Sequence, residues 1–316
     1  PIMAAALLNR GTTVLKGCPR IADVFLMEKI LQGLGARTRW RKDTLEICAR
    51  DLDNCMADRE LGEKMRSSIV LMGSLLGRCG EGILPFPGGC VIGARPIDLH
   101  LEALERLGAE FKEEKGCLRG KTRGLHGGEI FFPRSSVGAT QNAVLGAVCA
   151  RGTTVIRGGS AEPEVSWLCR FLNQAGGQIR GIGTSCLVIQ GVSGLHDTVF
   201  QIPPDRIAAG TYVCASAITR GKGILLDPPA GEMGALLSAY EKIGGQYMYK
   251  SGKLFLCSQR AFAPLRRLET GIYPGFPTDL QSIFLAALTC ARGESLIIEN
   301  IFEDRFKVVP QLQKMG

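Results

Sequence analysis

The sequence contains no long hydrophobic run. No stretch approaches the roughly 18 consecutive apolar residues that a membrane-spanning helix requires. The first residues, PIMAAALLNRG, have no basic segment before their short apolar stretch, whereas a secretory signal has one. We therefore expect a cytoplasmic protein with no membrane partner. With 316 residues, 45% of them hydrophobic, the chain can bury a sizeable core, and its length favours two domains.

Metal-binding patterns are also missing. The three histidines (His100, His126 and His196) lie far apart, and the twelve cysteines form no CxxC pair. The cysteines are scattered through apolar segments, where the thiol acts as a small buried hydrophobe. We expect no metal site and no cofactor.

Aromatic residues are scarce, at 6% of the chain, while the net charge is +8. Such a charge fits a nucleic acid, a membrane surface or a phosphorylated small molecule. Nucleic-acid binding calls for clustered basic residues interleaved with aromatics, but the lysines and arginines here are spread out. We therefore favour a small anionic ligand and no nucleic acid.

The glycines reveal an internal repeat. Five segments are each typical of an amphipathic helix that ends at a small-residue stop, for example IDLHLEALERLGA and EMGALLSAYEKIGG. Their stop glycines are about 70 residues apart and are predicted to adopt the left-handed cap conformation. They are Gly35, Gly108, Gly176, Gly244 and Gly316.

A second glycine series alternates with the first at the same spacing. It follows small, apolar helices that end in Arg-Gly or a close variant, such as LGAVCARG, and it precedes β-rich runs. Its members are Gly11, Gly80, Gly152, Gly221 and Gly293. The repeat is thus a βαββα unit, and both helix types are apolar enough to lie inside a layered α/β structure. The chain starts and stops within a unit, so we expect it to be a fragment of a longer protein.

One repeat is longer than the others. The interval from Gly80 to Gly108 exceeds the equivalent intervals by four or five residues, and the extra residues hold Cys90 within PGGCVIGARPIDLH. The cysteine is either incidental to a turn or part of a reactive loop.

The starts of the second-type helices carry arginines and capping residues. Free backbone N–H groups and the helix dipole favour anions there, and Arg66, Arg134 and Arg206 add positive charge. Simple N-capping by Ser135, Asp205 and Asp279 is the alternative explanation.

Six motifs, taken in order, resemble the UDP-N-acetylglucosamine 1-carboxyvinyltransferases, a family of enolpyruvyl transferases. They are PGGCVIGARPIDLH, MRSSI, SSVGAT, PDRIAAGTY, YPGFPTDLQ and FEDRF. The resemblance implies a two-domain inside-out α/β barrel built from the repeated units. We expect a first domain at 1–203 and an incomplete second domain at 204–316.

The reaction that this resemblance implies opens peptidoglycan synthesis. The enolpyruvyl group of phosphoenolpyruvate passes to the 3′-hydroxyl of UDP-N-acetylglucosamine, and phosphate leaves after addition and elimination. The expected partners are these two small-molecule substrates. We expect the protein itself to be a monomer. Such chemistry needs an acid, a base and cations that hold a phosphate and a carboxylate.

The resemblance also implies site residues. Cys90 matches a proton donor that fosfomycin alkylates, Arg95 and Arg66 match contacts to phosphate, and Asp279 matches the candidate base. Further matches are to substrate-binding positions: Arg95, Pro96, Ile97, Asp98 and Leu99 for uracil; Ser136, Val137 and Gly138 for diphosphate; Ile301 for the sugar nucleotide; and Glu162, Asp205, Glu303 and Arg305 for the substrate cleft.

The chain departs from the family pattern at Ala208, where glutamate is usual, and at Val308 and Gln311, where histidine and glutamate are common. Two alternatives stay open. One is the shikimate-pathway enolpyruvyl transferase, which shares the fold but lacks this cysteine loop. The other is a non-catalytic paralogue that binds a UDP-sugar.

Overall fold

The chain forms two compact units, each with its own core. The structure, a computed structural model, describes residues 1–88, 92–93, 95–259 and 262–316. The first unit holds residues 1–88 and 96–202, and the second holds residues 92–93 and 95 together with those from 203 onward. One cluster of buried apolar side chains comes from residues 3–200 and the other from residues 213–288. Residues 92–93 and 95 thus group with the second unit, although they precede it in sequence.

Small sheets of related topology build the first unit. Their strand orders are β11-β1-β3-β2, β4-β6-β5 and β7-β8-β10-β9. In each sheet the leading strand of the repeat lies beside the second arm of an antiparallel hairpin. β1 also pairs in parallel with β11, which joins the end of the unit to its beginning. The strands are β1 (Thr12–Lys16), β2 (Arg37–Arg41), β3 (Thr44–Cys48), β4 (Glu81–Pro85), β5 (Glu110–Glu114), β6 (Cys117–Lys121), β7 (Glu129–Phe131), β8 (Thr153–Arg157), β9 (Gln178–Arg180), β10 (Cys186–Gln190) and β11 (Thr198–Gln201).

The two predicted helix types differ in burial. The helices of the first unit are α1 (Ile2–Ala5), α2 (Ala22–Gly33), α3 (Arg59–Glu63), α4 (Leu71–Cys79), α5 (Asp98–Arg106), α6 (Val137–Ala147) and α7 (Pro163–Gln174). Short 3₁₀ turns cover Ala6–Leu8 and Arg66–Val70. Helix α6 has no charged residue and is buried throughout residues 139–147. Helices α2, α5 and α7 carry charges and keep one exposed face, so the expectation that both types lie inside is wrong for them.

The second unit repeats the same plan. Its antiparallel sheet has the order β12-β14-β13, and β15 pairs in parallel with β16. Its elements are α8 (Arg206–Ile218), β12 (Lys222–Leu226), α9 (Gly234–Lys242), β13 (Gln246–Lys250), β14 (Lys253–Cys257), β15 (Leu268–Glu269), α10 (Gln281–Leu288), β16 (Ile297–Ile298) and α11 (Val309–Gln313), with 3₁₀ turns at Ala230–Glu232, Thr278–Leu280 and Arg305–Val308.

Glycines end the first-type helices as predicted. All five stop glycines have positive φ, between 92° and 104°. Residues with a Cβ rarely adopt this conformation, so glycine is favoured at the end of each of these helices, four of which lead into a strand. The left-handed caps at Gly35, Gly108, Gly176, Gly244 and Gly316 are confirmed.

Two-residue turns set the register of the hairpins. Lys42, Lys115 and Ser251 begin these turns with φ of 57°, 52° and 50°. The flanking pairs Arg41 with Thr44, Glu114 with Cys117 and Lys250 with Lys253 lie directly opposite each other. Tight turns with positive φ match the twist of antiparallel strands and so fix which side chains reach the core.

Across the described ranges, the structure contains no helix with the length and apolar character needed to cross a bilayer.

Candidate functional site

The start of helix α6 is the first part of the site. The Ser136 hydroxyl caps the helix by accepting a hydrogen bond from the Ala139 N–H at 3.3 Å, and Thr140 donates back to the Ser136 carbonyl at 2.7 Å. Ser136 is therefore the cap, and the prediction that Ser135 caps this helix is wrong. The first turn leaves backbone N–H groups and the positive end of the helix dipole facing outward, which suits an anion.

A buried histidine supports this helix start. A Cβ on Gly138 would lie 3.0 Å from His100 Cε1 and 3.1 Å from Nε2, so the imidazole fills the space that glycine leaves. Asn142 Nδ2 lies 3.2 Å from His100 Nδ1 and also donates to the Ile69 carbonyl at 3.0 Å. The Asn142 carbonyl oxygen accepts from the Gly73 N–H, so its amide nitrogen must face the ring. His100 Nδ1 is then an acceptor, and the ring proton sits on Nε2.

His100 is held in its neutral form. Burial lowers the pKa of its imidazole to about 4, and the charge of Arg66 acts in the same direction. The imidazole therefore contributes an uncharged N–H at neutral pH. His100 lies within the quoted PGGCVIGARPIDLH motif, but it was not among the predicted site residues, because a lone histidine has no recognisable spacing.

The segment from Pro96 to Leu99 leads into helix α5 close to two arginines. Arg66 Nη2 lies 3.4 Å from the Pro96 carbonyl oxygen. Arg134 donates to both carboxylate oxygens of Asp98, at 2.8 and 3.1 Å. Both side chains of this pair are more than half exposed, so it adds little stability but fixes their orientation.

These contacts assemble most of the predicted positions of the first unit. The Leu99 side chain is buried, so only the backbone of Leu99 is available to contact a ligand. Glu162 connects to the same region through Ser160: its N–H donates to the Ser160 hydroxyl at 3.3 Å, and the Ser160 N–H donates to Thr140 at 3.0 Å. The structure therefore brings together Arg66, Pro96, Ile97, Asp98, Leu99, Ser136, Val137, Gly138 and Glu162, with Arg134 and His100 added.

In the second unit, Asp279 is paired with Arg305. An Arg305 Nη2–H group donates to the Asp279 carboxylate. The Arg305 guanidinium carbon lies 5.3 Å from the centre of the Phe302 ring, and that of Arg95 lies 5.6 Å from the same ring. The Arg305 Nε is buried and has no hydrogen-bond partner among the described residues. Phe302 is thus a shared platform for two cationic side chains that both belong to the predicted site.

The segment around Gly93 packs against the 302–305 turn. Gly93 has φ of 134°, a conformation that residues with a Cβ rarely adopt, and it lies directly against the Glu303 side chain. The Asp304 N–H donates to the Ile92 carbonyl at 3.1 Å. These contacts explain why residues 92–93 and 95 group with the second unit.

Glu299 organises the loop that carries Ile301. One carboxylate oxygen accepts the N–H groups of Ile301 and Phe302 at 2.8 and 3.1 Å. The other accepts the Thr278 hydroxyl at 3.0 Å, next to Asp279 in the chain. Glu299 therefore fastens the Phe302 loop to the Asp279 turn, a role that no sequence motif marks.

Asp205 behaves as an N-cap. Its carboxylate accepts from the N–H groups of Ile207 and Ala208 at 2.7 and 3.2 Å. The neighbouring Arg206 is buried and lies 5.7 Å from the centre of the Tyr273 ring, at the edge of a cavity of about 280 Å³. The capping explanation thus applies to Asp205, whereas Asp279 lies inside its 3₁₀ turn and does not cap it.

Cys90 lies outside the described residues, so its predicted role stays a prediction. The described part of the chain contains no group of three His, Cys, Asp or Glu side chains that would hold a metal ion.

The chain belongs to the EPSP synthase family. The sequence model of this family, described as EPSP synthase (3-phosphoshikimate 1-carboxyvinyltransferase), matches residues 1–316. This match, the repeated α/β units and the anion-binding helix starts agree with the expected class of enolpyruvyl transferases.

More specific similarity comes from curated relatives. The chain is 43% identical to UDP-N-acetylglucosamine 1-carboxyvinyltransferase 2 of Caldanaerobacter subterraneus subsp. tengcongensis, covering 100% of this chain and 76% of the relative. It is 41% identical to UDP-N-acetylglucosamine 1-carboxyvinyltransferase of Gluconacetobacter diazotrophicus, with the same coverage. The predicted resemblance is thereby confirmed.

Solved structures confirm the predicted fold. The enolpyruvyl transferase NikO from Streptomyces tendae superposes with a TM-score of 0.86 at 19% identity, covering 100% of this chain and 75% of that one. EPSP synthase from Acinetobacter baumannii gives a TM-score of 0.70 at 16% identity, covering 98% and 75%.

Proposed function

We propose that this protein transfers the enolpyruvyl group of phosphoenolpyruvate to the 3′-hydroxyl of UDP-N-acetylglucosamine and releases phosphate. The observation that carries the proposal is identity of 40% or more, over the whole chain, to relatives named for this reaction. We further propose a cytoplasmic monomer that binds neither nucleic acid nor membrane.

The first unit supplies a means of holding the nucleotide. The Ser136 cap and the first turn of α6 present N–H donors to a diphosphate, and Gly138 leaves room for the His100 imidazole to pack against this helix start. The Pro96–Leu99 segment offers backbone groups to the edge of uracil. Arg134 orients the Asp98 side chain within that segment. Arg66, near the Pro96 carbonyl, supplies a cation for the phosphate of phosphoenolpyruvate.

The second unit supplies a candidate base. Asp279 is the more exposed partner of its ion pair, so its free carboxylate oxygen is open to a substrate hydroxyl. Arg305 fixes the carboxylate, and Phe302 fixes Arg305. Arg95, on the same ring, is a cation for substrate phosphate, and Cys90 five residues before it in sequence is the candidate proton donor.

Release of phosphate tests the proposal. The purified full-length protein is incubated with phosphoenolpyruvate and either UDP-N-acetylglucosamine or shikimate 3-phosphate, and free phosphate is measured over time. Release only with the UDP-sugar is expected. Release with shikimate 3-phosphate would instead identify the shikimate-pathway enzyme. Calorimetric binding of UDP-N-acetylglucosamine without any release of phosphate would identify a binding paralogue, which the departures at Ala208, Val308 and Gln311 make worth testing.

A further inference from the structure

The Arg-Gly ends of the second-type helices meet at a cavity in the first unit. The cavity has a volume of about 340 Å³. Arg10 and Arg151 directly precede the repeat glycines Gly11 and Gly152, and Arg78 lies two residues before Gly80. The described lining residues are Leu8, Arg10, Gly77, Arg78, Cys149, Ala150, Arg151, Gly191, Val192, Ser193 and Gly194. Three successive repeats thus each contribute one arginine to the lining of this cavity.

The charge of this cavity is not balanced by its walls. Its described lining contains three guanidinium groups and no aspartate or glutamate. Within the part of the chain that the structure describes, the side chains of Arg10 and Arg151 form no ion pair. The charge of Asp51 acts to raise the pKa of Arg78, but the Asp51 carboxylate is paired with Arg37 at 3.5 Å.

One terminal nitrogen of the Arg78 guanidinium group is hydrogen-bonded within the described residues, and the other is not. Its Nη2 donates to the carbonyls of Ala49 and Arg50 at 2.9 and 2.8 Å. Its Nη1 is buried and has no acceptor among the described residues. Burial lowers the pKa of Arg78, and the charge of Arg10 lowers it further, so the neighbouring cations repel each other. A buried donor without an acceptor is unfavourable, and an anion would satisfy it.

Helix capping does not account for this arrangement. Arginines are common at helix C-termini, where carbonyl groups are free. The two bonds from Arg78 Nη2 go to residues 49 and 50, which follow strand β3, and they leave Nη1 unexplained. The exposed side chains of Arg10 and Arg151 also form no side-chain hydrogen bond within the described ranges.

We propose that this cavity binds a small phosphorylated molecule, with Arg10, Arg78 and Arg151 holding its phosphate groups. Planar guanidinium groups bind phosphate oxygens in pairs, and the volume lies in the range of small-molecule sites, about 300 to 1,000 Å³. Gly194, where a Cβ would meet nothing within 4 Å, leaves backbone accessible beside the Ser193 hydroxyl. Burial raises the pKa of the Cys149 thiol to about 11, so it adds no negative charge.

The cavity is separate from the candidate substrate site. Helix α6 begins at the Ser136 cap and ends just before Cys149 at the cavity. Its 11 residues span about 16 Å at 1.5 Å per residue. The inference therefore does not depend on the proposed function, and it can fail or succeed independently.

Hydrogen exchange with pyrophosphate as the added anion tests the proposal. At constant ionic strength, pyrophosphate should slow exchange in peptides that contain residues 149–152 and 191–194. The double variant Arg10→Ala/Arg151→Ala should require at least tenfold more pyrophosphate for the same protection there. Any protection of residues 134–142 should be unchanged, since those residues belong to the other site.

A matched variant controls for net charge. Arg39→Ala/Arg180→Ala also removes two exposed arginines from the first unit, and it should respond to pyrophosphate like the parent protein. Equal responses of both double variants, or no protection in the parent, would overturn the proposal. Should the first variant fail to fold, Ser193→Glu places a negative charge in the lining, and the same loss is expected.

Discussion

Arg305 and Asp279 form an ion pair whose two ends differ in exposure: 17% of the arginine side chain is accessible and 60% of the aspartate. The arginine is therefore the fixed partner, packed over Phe302, and the aspartate is the partner that reaches outward. A carboxylate oriented in this way keeps one oxygen free while its position is held. This asymmetry is what a positioned base requires.

Replacing Arg305 by lysine should lower kcat at least tenfold, a loss of about 1.4 kcal/mol in transition-state stabilisation. Lysine keeps the charge but lacks the planar fork, so it cannot both pack on Phe302 and hold Asp279. Steady-state phosphate release gives kcat, and calorimetry gives the affinity for UDP-N-acetylglucosamine, which should change less than threefold. Arg267→Lys, in the exposed pair with Glu269, is the matched control. An unchanged kcat for Arg305→Lys would show that Asp279 needs no such support.

Stability should depend on pH through His100. Its pKa is about 4 in the folded protein, against 6.5 for an ordinary histidine, so the unfolded chain binds the proton first as the pH falls. The stability that the neutral ring provides is complete above pH 6.5 and decreases between pH 6.5 and 4, by about 3 kcal/mol in total.

Urea unfolding of the first unit at pH 7, 5.5 and 4.5 measures this effect. His100→Asn retains an acceptor for Asn142 but cannot be protonated, so its unfolding free energy should fall less with pH. His196→Asn, at an exposed histidine, should keep the slope of the parent protein. Identical slopes for all three proteins would contradict the assignment of the buried neutral imidazole.

Gly138→Ala should weaken UDP-N-acetylglucosamine binding at least tenfold and destabilise the first unit by about 1 to 3 kcal/mol, the usual cost of overpacking. The new methyl group would contact His100, which cannot move freely because Asn142 holds it. Gly33→Ala in α2 is the control, since a Cβ there meets nothing within 4 Å and alanine favours the helix. Thermal unfolding and calorimetry give both quantities. A variant that binds the sugar nucleotide normally would show that the α6 start is not its phosphate site.

Glu299→Ala should reduce kcat about tenfold while the protein stays folded. The carboxylate joins the Phe302 loop to Thr278, so its loss should let Arg305 and Asp279 drift from their common geometry. Glu299→Gln keeps acceptor oxygen and should recover part of the activity. Glu294→Ala, at an exposed position on the other side of strand β16, should behave as the parent. If the alanine variant matched Glu294→Ala in kcat, Glu299 would have no positioning role.

Fosfomycin should form an adduct with Cys90 when UDP-N-acetylglucosamine is present. The expectation rests on the family resemblance of the cysteine loop and on Arg95, which follows it and is held at Phe302. Peptide mass spectrometry locates the adduct. The exposed Cys79 and Cys290 serve as internal controls and should stay unmodified. Modification of all three at similar rates would indicate ordinary thiol reactivity.

Local signals in the sequence predicted much of the fold. The stop glycines mark helix ends because only a residue without a Cβ takes positive φ at low cost, and Gly35, Gly108 and Gly176 all do so. The amphipathic patterns IDLHLEALERLGA and EMGALLSAYEKIGG likewise predict helices where the structure has Asp98–Arg106 and Gly234–Lys242. These features depend on neighbouring residues alone, so one sequence is enough to find them.

The pairings inside the site depend instead on how the units pack. Asp98 and Arg134 are 36 residues apart, and the exposed pair gives no hydrophobic signal. Glu299 acts through backbone N–H groups, which no side-chain motif records. The shift from Ser135 to Ser136 as the cap is a one-residue difference that local propensity cannot resolve, because serine caps helices equally well at either position.

The parallel pairing of β1 with β11 has a consequence for synthesis of the protein. Thr12 and Asp197 are 185 residues apart, yet the Thr12 N–H donates to the Asp197 carboxylate at 2.7 Å, beside the β1–β11 ladder. About 185 further residues must therefore be synthesised after Thr12 before that edge of β1 can pair with its native neighbour. Contacts between such distant residues form slowly. Until they form, the unpaired edge of β1 can pair with strands of other chains and so promote aggregation. We therefore expect the β1 edge to need protection, for example by a chaperone, until β11 has been synthesised.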